Sequence, residues 1–146
     1  MAVKPIPEGY HTVTPYLVVE GAGKLIDFLK QAFDAEVVFR MPGPNDTVGH
    51  AEVRIGNSMI MLADASAEHQ AAPGMICLYV EDVDTLYQRA IAAGATSIKE
   101  PANQFYGDRS GGVKDASGIQ WWISTHIEDV APEEMEKRAA AKGECN

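Results

Sequence analysis

His50 and Glu52 stand two apart in the segment VGHAEVRI, residues 48–55. In an extended chain alternate side chains leave the same face, so the imidazole and the carboxylate share one side of a sheet. Ala51, Val53 and Ile55 take the other side, which reads as the face a helix covers. A His beside a Glu on an open face can act as an acid/base pair or bind a polar ligand. The same two residues can equally form an ion pair on a solvated sheet. A second reactive stretch runs from Tyr106 to Thr125. It opens with a glycine-rich polar loop, Tyr106 to Gly112, that carries Arg109. A turn follows at Asp115-Ala116-Ser117-Gly118, and then a β-prone strand, Ile119 to Ser124, with both tryptophans. Arg109 on a mobile loop can pair a carboxylate or phosphonate, or it can hold the loop together through Asp108 or Asp115; the second is favoured. The two tryptophans can wall a ligand cavity, or fill a core and a dimer interface.

These groups need a scaffold. A chain of 146 residues is the usual size of one domain with a real core. Its formal net charge of −9 argues against nucleic acid and anionic membranes, whose phosphates call for a basic face. No run of about 18 apolar residues is present, so no membrane span is expected. The start, MAVKPIPEGYHTVTP, lacks the apolar stretch of a secretory signal. There are two cysteines, Cys77 in an apolar strand pattern and Cys145 near the C-terminal end. Neither spacing reads as a zinc site or a disulfide framework, so a reducing cytoplasm is the expected compartment.

Periodicity supplies the elements. Strands are expected at Val13–Glu20, Glu36–Met41, Val48–Ile55 and Ser58–Ala63, with a helix at Lys24–Phe33 whose Leu25, Phe28, Leu29 and Ala32 form one apolar stripe. Pro15 implies an edge position or a strand start. Asp34 ends the helix with positive φ. Residues 64–73 read as a polar linker. Beyond it come a strand at Met75–Glu81 and a helix at Val83–Ala93, capped by Asp82 and buried through Val83, Leu86, Ala90 and Ile91. A short strand Thr96–Lys99 leads to a loop Pro101–Gln104, then to a strand near Gly111–Lys114 and the tryptophan strand. Residues 128–146 form a charged tail with Pro132 in a first helical turn. The order repeats. Val19-Glu20 matches Val80-Glu81 sixty-one residues on, Leu17 falls on Leu78, and Leu25 on Leu86. The expected fold is therefore α+β, a single domain of two βαβββ modules at about 12–64 and 75–127. Each module pairs a helix with one face of a four-stranded sheet and leaves the other face concave.

Three stretches carry a resemblance: VTPYLVVEGAGKLIDFLKQAF, VGHAEVRIGNSMIMLAD and YGDRSGGVKDASGIQWWISTHIEDV. They resemble the PhnB-like, glyoxalase-like branch of the vicinal oxygen chelate superfamily, which holds glyoxalase I, fosfomycin and bleomycin resistance proteins and extradiol dioxygenases. The likeness covers roughly residues 8 to 136. It implies a cup lined by the open sheet faces, and a metal in the members that use one. By register the metal-ligand places fall near Thr14, His50 or Glu52, Met75 and Trp122. Only His50 and Glu52 are ordinary donors for Zn, Ni, Mn or Fe, so the ligand set is broken at three places; no cofactor is firmly predicted, and a divalent metal is the lesser alternative.

The resemblance points His50 and Glu52 into the cup, as the proton-transfer groups of a small-molecule lyase or isomerase. By the same parity Tyr16, Tyr79, Gln120 and Trp122 line it, with Cys77 beside Tyr79. Tyr106 and Arg109 sit on a loop able to close its mouth. His69 and His126 read as surface residues, and His11 is given no role. The alternative is a non-catalytic binder that sequesters a drug or metabolite in an aromatic, acidic cup. Either way the expected partners are a small-molecule ligand and a second copy of the chain, because one chain leaves the cup and its sheet edges incomplete.

Overall fold

The computed structural model describes residues 3–144; Cys145 lies outside the described residues. The fold is α+β, with two βαβββ modules. The first holds β1 (Tyr16–Val19), α1 (Ala22–Phe33), β2 (Glu36–Pro42), β3 (Val48–Ile55) and β4 (Ser58–Asp64). The second holds β5 (Met75–Tyr79), α2 (Val83–Ala92), β6 (Thr96–Asn103), β7 (Asp108–Lys114) and β8 (Gln120–His126). A third helix, α3, spans Pro132–Glu144. The sheets have the orders β1-β4-β3-β2 and β5-β8-β7-β6. In each, the first strand runs parallel to the fourth and the other pairs are antiparallel. The repeat holds in register: Leu17 sits opposite Leu62, and Leu78 opposite Ile123.

Apolar periodicity decides which faces are covered. The α1 stripe Leu25, Phe28, Leu29 and Ala32 is buried together with Ile26 and Phe33. Ala51 and Val53 of β3 meet Leu62 and Ile60 of β4 on the helix side of the first sheet. In α2 the buried residues are Val83, Tyr87 and Ala90. Leu86 and Ile91, expected in that stripe, are only partly buried. Tyr87 goes inside because its hydroxyl finds Ser97 Oγ, so the ring is buried without an unpaired polar end. The two modules share one core, in which the Phe33 and Trp121 ring centroids lie 5.2 Å apart.

Helix starts are held from the far end of each module. Asp64, at the end of β4, accepts hydrogen bonds from the backbone N–H groups of Gly21, Ala22 and Val48. Thr125 in β8 accepts from Val83 N–H. Asp82 adds the local cap, accepting from Thr85 N–H. Asp34 closes α1 in the left-handed region at φ 56°.

The second module differs from the sequence reading in its loops. Residues 101–103, expected in a loop, extend β6. Most of the expected Tyr106–Gly112 loop is strand β7. The glycines there provide clearance, not mobility. A Cβ on Gly111 would sit 3.1 Å from Pro101, and one on Gly112 would sit 2.8 Å from the Trp122 ring. Pro101 is tolerated because β6 is an edge strand. Pro15 lies just ahead of the edge strand β1, where its carbonyl accepts from Met61 N–H.

Helix α3 rests on module two mainly through Arg138. That guanidinium donates to both carboxylate oxygens of Glu128, to Glu134 and to the Phe105 carbonyl. Among the described residues no helix is long and apolar enough to cross a membrane.

Candidate functional site

Strand parity puts two groups of side chains on the outward faces, away from the helices. On the first sheet β3 presents His50 and Glu52; the adjoining strand β2 brings Phe39 alongside, and β1, on the far side of β4, brings Tyr16. His50 Nε2 lies 3.1 Å from Glu52 Oε2, and His50 Nδ1 lies 3.0 Å from the Tyr16 hydroxyl. A carboxylate can only accept, so Nε2 carries the proton toward Glu52. In the neutral imidazole Nδ1 is then the acceptor, and Tyr16 donates to it. The result is a linear chain, Tyr16 to His50 to Glu52. The His50 and Glu52 side chains are each 22 % exposed, and Tyr16 is 49 % exposed, so the chain begins at the surface and runs inward.

The second sheet presents Met75, Cys77 and Tyr79 from β5 beside Gln120, Trp122 and Ser124 from β8. Trp122 lies over Gly112 of β7, and its Nε1–H donates to Gln120 Oε1 at 3.1 Å. An indole seated on bare backbone and pinned at its one polar atom is a rigid flat surface. Trp121, one residue away, faces inward and is fully buried, with Nε1–H donating to Asp115 at 2.8 Å. Of the two tryptophans only Trp122 lies where a ligand could meet it.

A polar cluster at the end of this face was missed by sequence reasoning. The Tyr79 hydroxyl donates to Asp108 Oδ2 at 2.7 Å. His126 Nδ1 meets Asp108 Oδ1 at 2.8 Å, and its Nε2 meets Asp129 at 2.7 Å. His126 lies at the surface as expected, but both of its ring nitrogens are engaged. Asp108 first, and then Asp129, raise its pKa above the ordinary imidazole value. The hydrogen bond to Asp108 likewise raises the Tyr79 phenol, with Cys77 and Tyr106 adding to the effect. The signal was hidden because Asp108 opposes His126 only once β7 is known to start at Asp108.

Arg109 is elsewhere. It lies on strand β7, one residue from Asp108. Its guanidinium grips both oxygens of Asp84 in the first turn of α2, at 2.9 and 3.0 Å, and also reaches Asn103. Neither Asp108 nor Asp115 is its partner. Arg109 ties β7 to the helix layer, and the covering loop assigned to it is absent. Tyr106 precedes β7, its ring edge-on to Phe105 at 5.3 Å.

A cavity of about 920 Å³ opens along the seam between the modules, lined by Val13, Pro15, Ile60, Ile76, Tyr79 and Leu86 among others. His50, Glu52 and Trp122 do not line it. Within one chain, then, the predicted residues form separate groups: Tyr16 with His50 and Glu52, Gln120 with Trp122, and Tyr79 with the Asp108 cluster. Tyr16, Phe39, Met41, Met75 and Tyr79 all remain exposed, so the two outward faces do not close on each other.

The donor set does not suit a resident metal. The positions that would complete a site with His50 and Glu52 hold Thr14, Met75 and Trp122. Among the described residues no three His, Cys, Asp or Glu side chains converge as a metal would need.

Comparison with known proteins agrees with this architecture. The sequence model described as Glyoxalase/Bleomycin resistance protein/Dioxygenase superfamily matches residues 10–123. Uncharacterized protein Mb0911c of Mycobacterium bovis is 34 % identical over 143 residues, covering 90 % of this chain and 94 % of that protein. Among solved structures, TioX from Micromonospora sp. ML1 superposes with a TM-score of 0.69 at 22 % identity, over 80 % of this chain and 99 % of that one. A glyoxalase/bleomycin resistance protein/dioxygenase family enzyme from Burkholderia phytofirmans gives 0.66 at 20 % identity, over 78 % and 97 %. At these identities the structural matches speak to the fold alone.

Proposed function

This chain belongs to the Glyoxalase/Bleomycin resistance protein/Dioxygenase superfamily, and on that premise we propose that it is a small-molecule enzyme of lyase or isomerase type, working through Tyr16, His50 and Glu52. The observation that carries the reading is the linear hydrogen-bond chain from an exposed hydroxyl to a half-buried carboxylate. A proton leaving a ligand hydroxyl for Tyr16 Oη is matched by the Tyr16 proton moving to His50 Nδ1. Glu52 then stabilises the imidazolium that forms. The charge separates inside the protein, and the ligand is left with the electron pair its rearrangement needs. No step is assigned to a metal, because the residues present do not fit one.

The protein acts in this reading as a homodimer in the cytoplasm, on a small oxygenated ligand. Exposed Tyr16, Phe39 and Met41 on one sheet and Met75 and Tyr79 on the other support the dimer, since a second copy would turn two open faces into a closed cup. Within this reading the three stretches quoted for the resemblance support the PhnB-like branch. A second reading, a binding protein that sequesters a drug or metabolite, is favoured by the flat Trp122 surface and the broken ligand set. One experiment separates them: elemental analysis of purified protein, with turnover of the methylglyoxal–glutathione hemithioacetal in wild type and in Glu52→Gln. Turnover without stoichiometric metal, lost in the variant, supports the enzyme. Binding with no turnover in either protein overturns it in favour of the binder.

A further inference from the structure

Tyr79 is 69 % exposed, yet its hydroxyl is not free. A phenol has one proton, and that proton is committed to Asp108 Oδ2 at 2.7 Å. What the hydroxyl offers outward is lone pairs only. Asp108 itself is 5 % exposed, a carboxylate that keeps its place by accepting from Tyr79 on one oxygen and from His126 on the other. An uncommitted tyrosine would serve a carbonyl and a hydroxyl equally well, whereas a committed one serves only a donor.

We propose that Asp108 and His126 are positioning residues that fix Tyr79 as a one-way hydrogen-bond acceptor, so that the module-two wall of the cup selects ligands bearing a hydroxyl or N–H donor. The inference rests on the small-molecule reading above but not on its chemistry, and it holds for a catalyst and a binder alike. Asp108 and His126 lie opposite each other across β7 and β8, Tyr79 comes from β5, and Asp129 holds the far imidazole nitrogen. Three strands and the chain leading into α3 therefore set the direction of one O–H bond. Tyr79 also borders the cavity of about 920 Å³ at the module seam. Its raised phenol pKa keeps the hydroxyl neutral, with Asp108 as the main cause and Cys77 and Tyr106 as neighbours.

The test uses 2-naphthol and 2-methoxynaphthalene, flat probes of like shape of which only the first can donate. Binding is followed by NMR on the Trp122 indole N–H, with Tyr79 ionisation followed separately by absorbance at 295 nm. Wild type is expected to prefer 2-naphthol by about fivefold, the usual net worth of one hydrogen bond. Tyr79→Phe should abolish that preference by weakening 2-naphthol, and Asp108→Ala should abolish it because the freed Tyr79 hydroxyl can then donate to the methoxy oxygen as well. Asp108→Asn should retain it, because its amide oxygen still accepts from Tyr79 and its amide N–H suits a neutral His126. Asp108→Ala should also make Tyr79 ionise at lower pH, a readout that needs no ligand. Equal binding of both probes by wild type, or a preference that survives in Asp108→Ala, overturns the inference and leaves the cup reading standing. If neither probe moves the Trp122 signal, the cup reading falls and the inference falls with it.

Discussion

Asp64 and Thr125 occupy the same place in the two modules. Each lies where the fourth strand ends, and each accepts from the first backbone N–H of its module's helix, Ala22 in one and Val83 in the other. Asp64 also takes Gly21 and Val48, and so does more. Thr125→Val should cost about 1 kcal/mol and Asp64→Ala about 2 kcal/mol or more in urea denaturation, the second because three N–H groups lose an acceptor. Burial alone would raise the Asp64 pKa, but the hydrogen bonds from Val48, Ala22 and Gly21, helped by Arg40, hold it below the ordinary value. A depressed carboxyl stabilises above its unfolded pKa, and that stability is lost as pH falls through the folded value. Asp64→Asn should therefore flatten the loss of stability below about pH 4.

The Glu52 side chain is 22 % exposed and lies on the outward face, so its pairing with His50 is not that of a fully buried ion pair. Glu52→Gln should change stability by less than about 0.5 kcal/mol while altering ligand binding or turnover. A buried pair losing one partner would cost about 3–5 kcal/mol. A single denaturation curve tells the two apart.

The Trp122 surface depends on what lies beneath it. Gly112→Ala would place a methyl group 2.8–2.9 Å from three ring carbons, so the indole must move. Overpacking of this kind costs about 1–3 kcal/mol. The Trp122 emission maximum should shift, and affinity for flat ligands should fall more than stability does.

Hydrophobic period and turn residues made the repeat legible, and with it most strand and helix positions. Val48–Ile55 was read with its correct faces because Ala51 and Val53 alternate with His50 and Glu52 in an unbroken pattern. The stretch around Tyr106 was misread because its glycines look like a loop. Their use, to clear Pro101 and Trp122, is a tertiary fact that no local window contains. Arg109 was misplaced for the same reason: with β7 starting two residues after Tyr106, parity sends Arg109 to the helix side and Asp84. Asp108 and His126 stayed hidden because their contact needs the β7–β8 register.

His126 holds two carboxylates, one buried and one exposed, through both ring nitrogens. Its pKa is raised, so its contribution to stability is complete below the unfolded value near 6.5 and is lost as pH rises through the folded value. Stability should therefore decline on that alkaline side, and His126→Gln should remove the decline. Imidazole proton shifts followed by NMR give the folded pKa directly.

Sedimentation equilibrium at micromolar concentration should return twice the chain mass of 15.8 kDa. Placing glutamate at Phe39 and Met75, both exposed on the outward faces, should return the single-chain mass without unfolding the protein.

The segment joining the modules, residues 65–74, is mostly exposed; Ala65 N–H extends the β1–β4 ladder to the Val19 carbonyl, and Ala72 N–H reaches the Val18 carbonyl on the open edge of β1. It bridges two units that each carry their own sheet, their own helix and their own cap. A chain severed between His69 and Gln70 would thus yield two pieces with matching apolar faces, each able to find the other in solution. The protein is in this sense an assembly of two halves that a tether keeps at high local concentration.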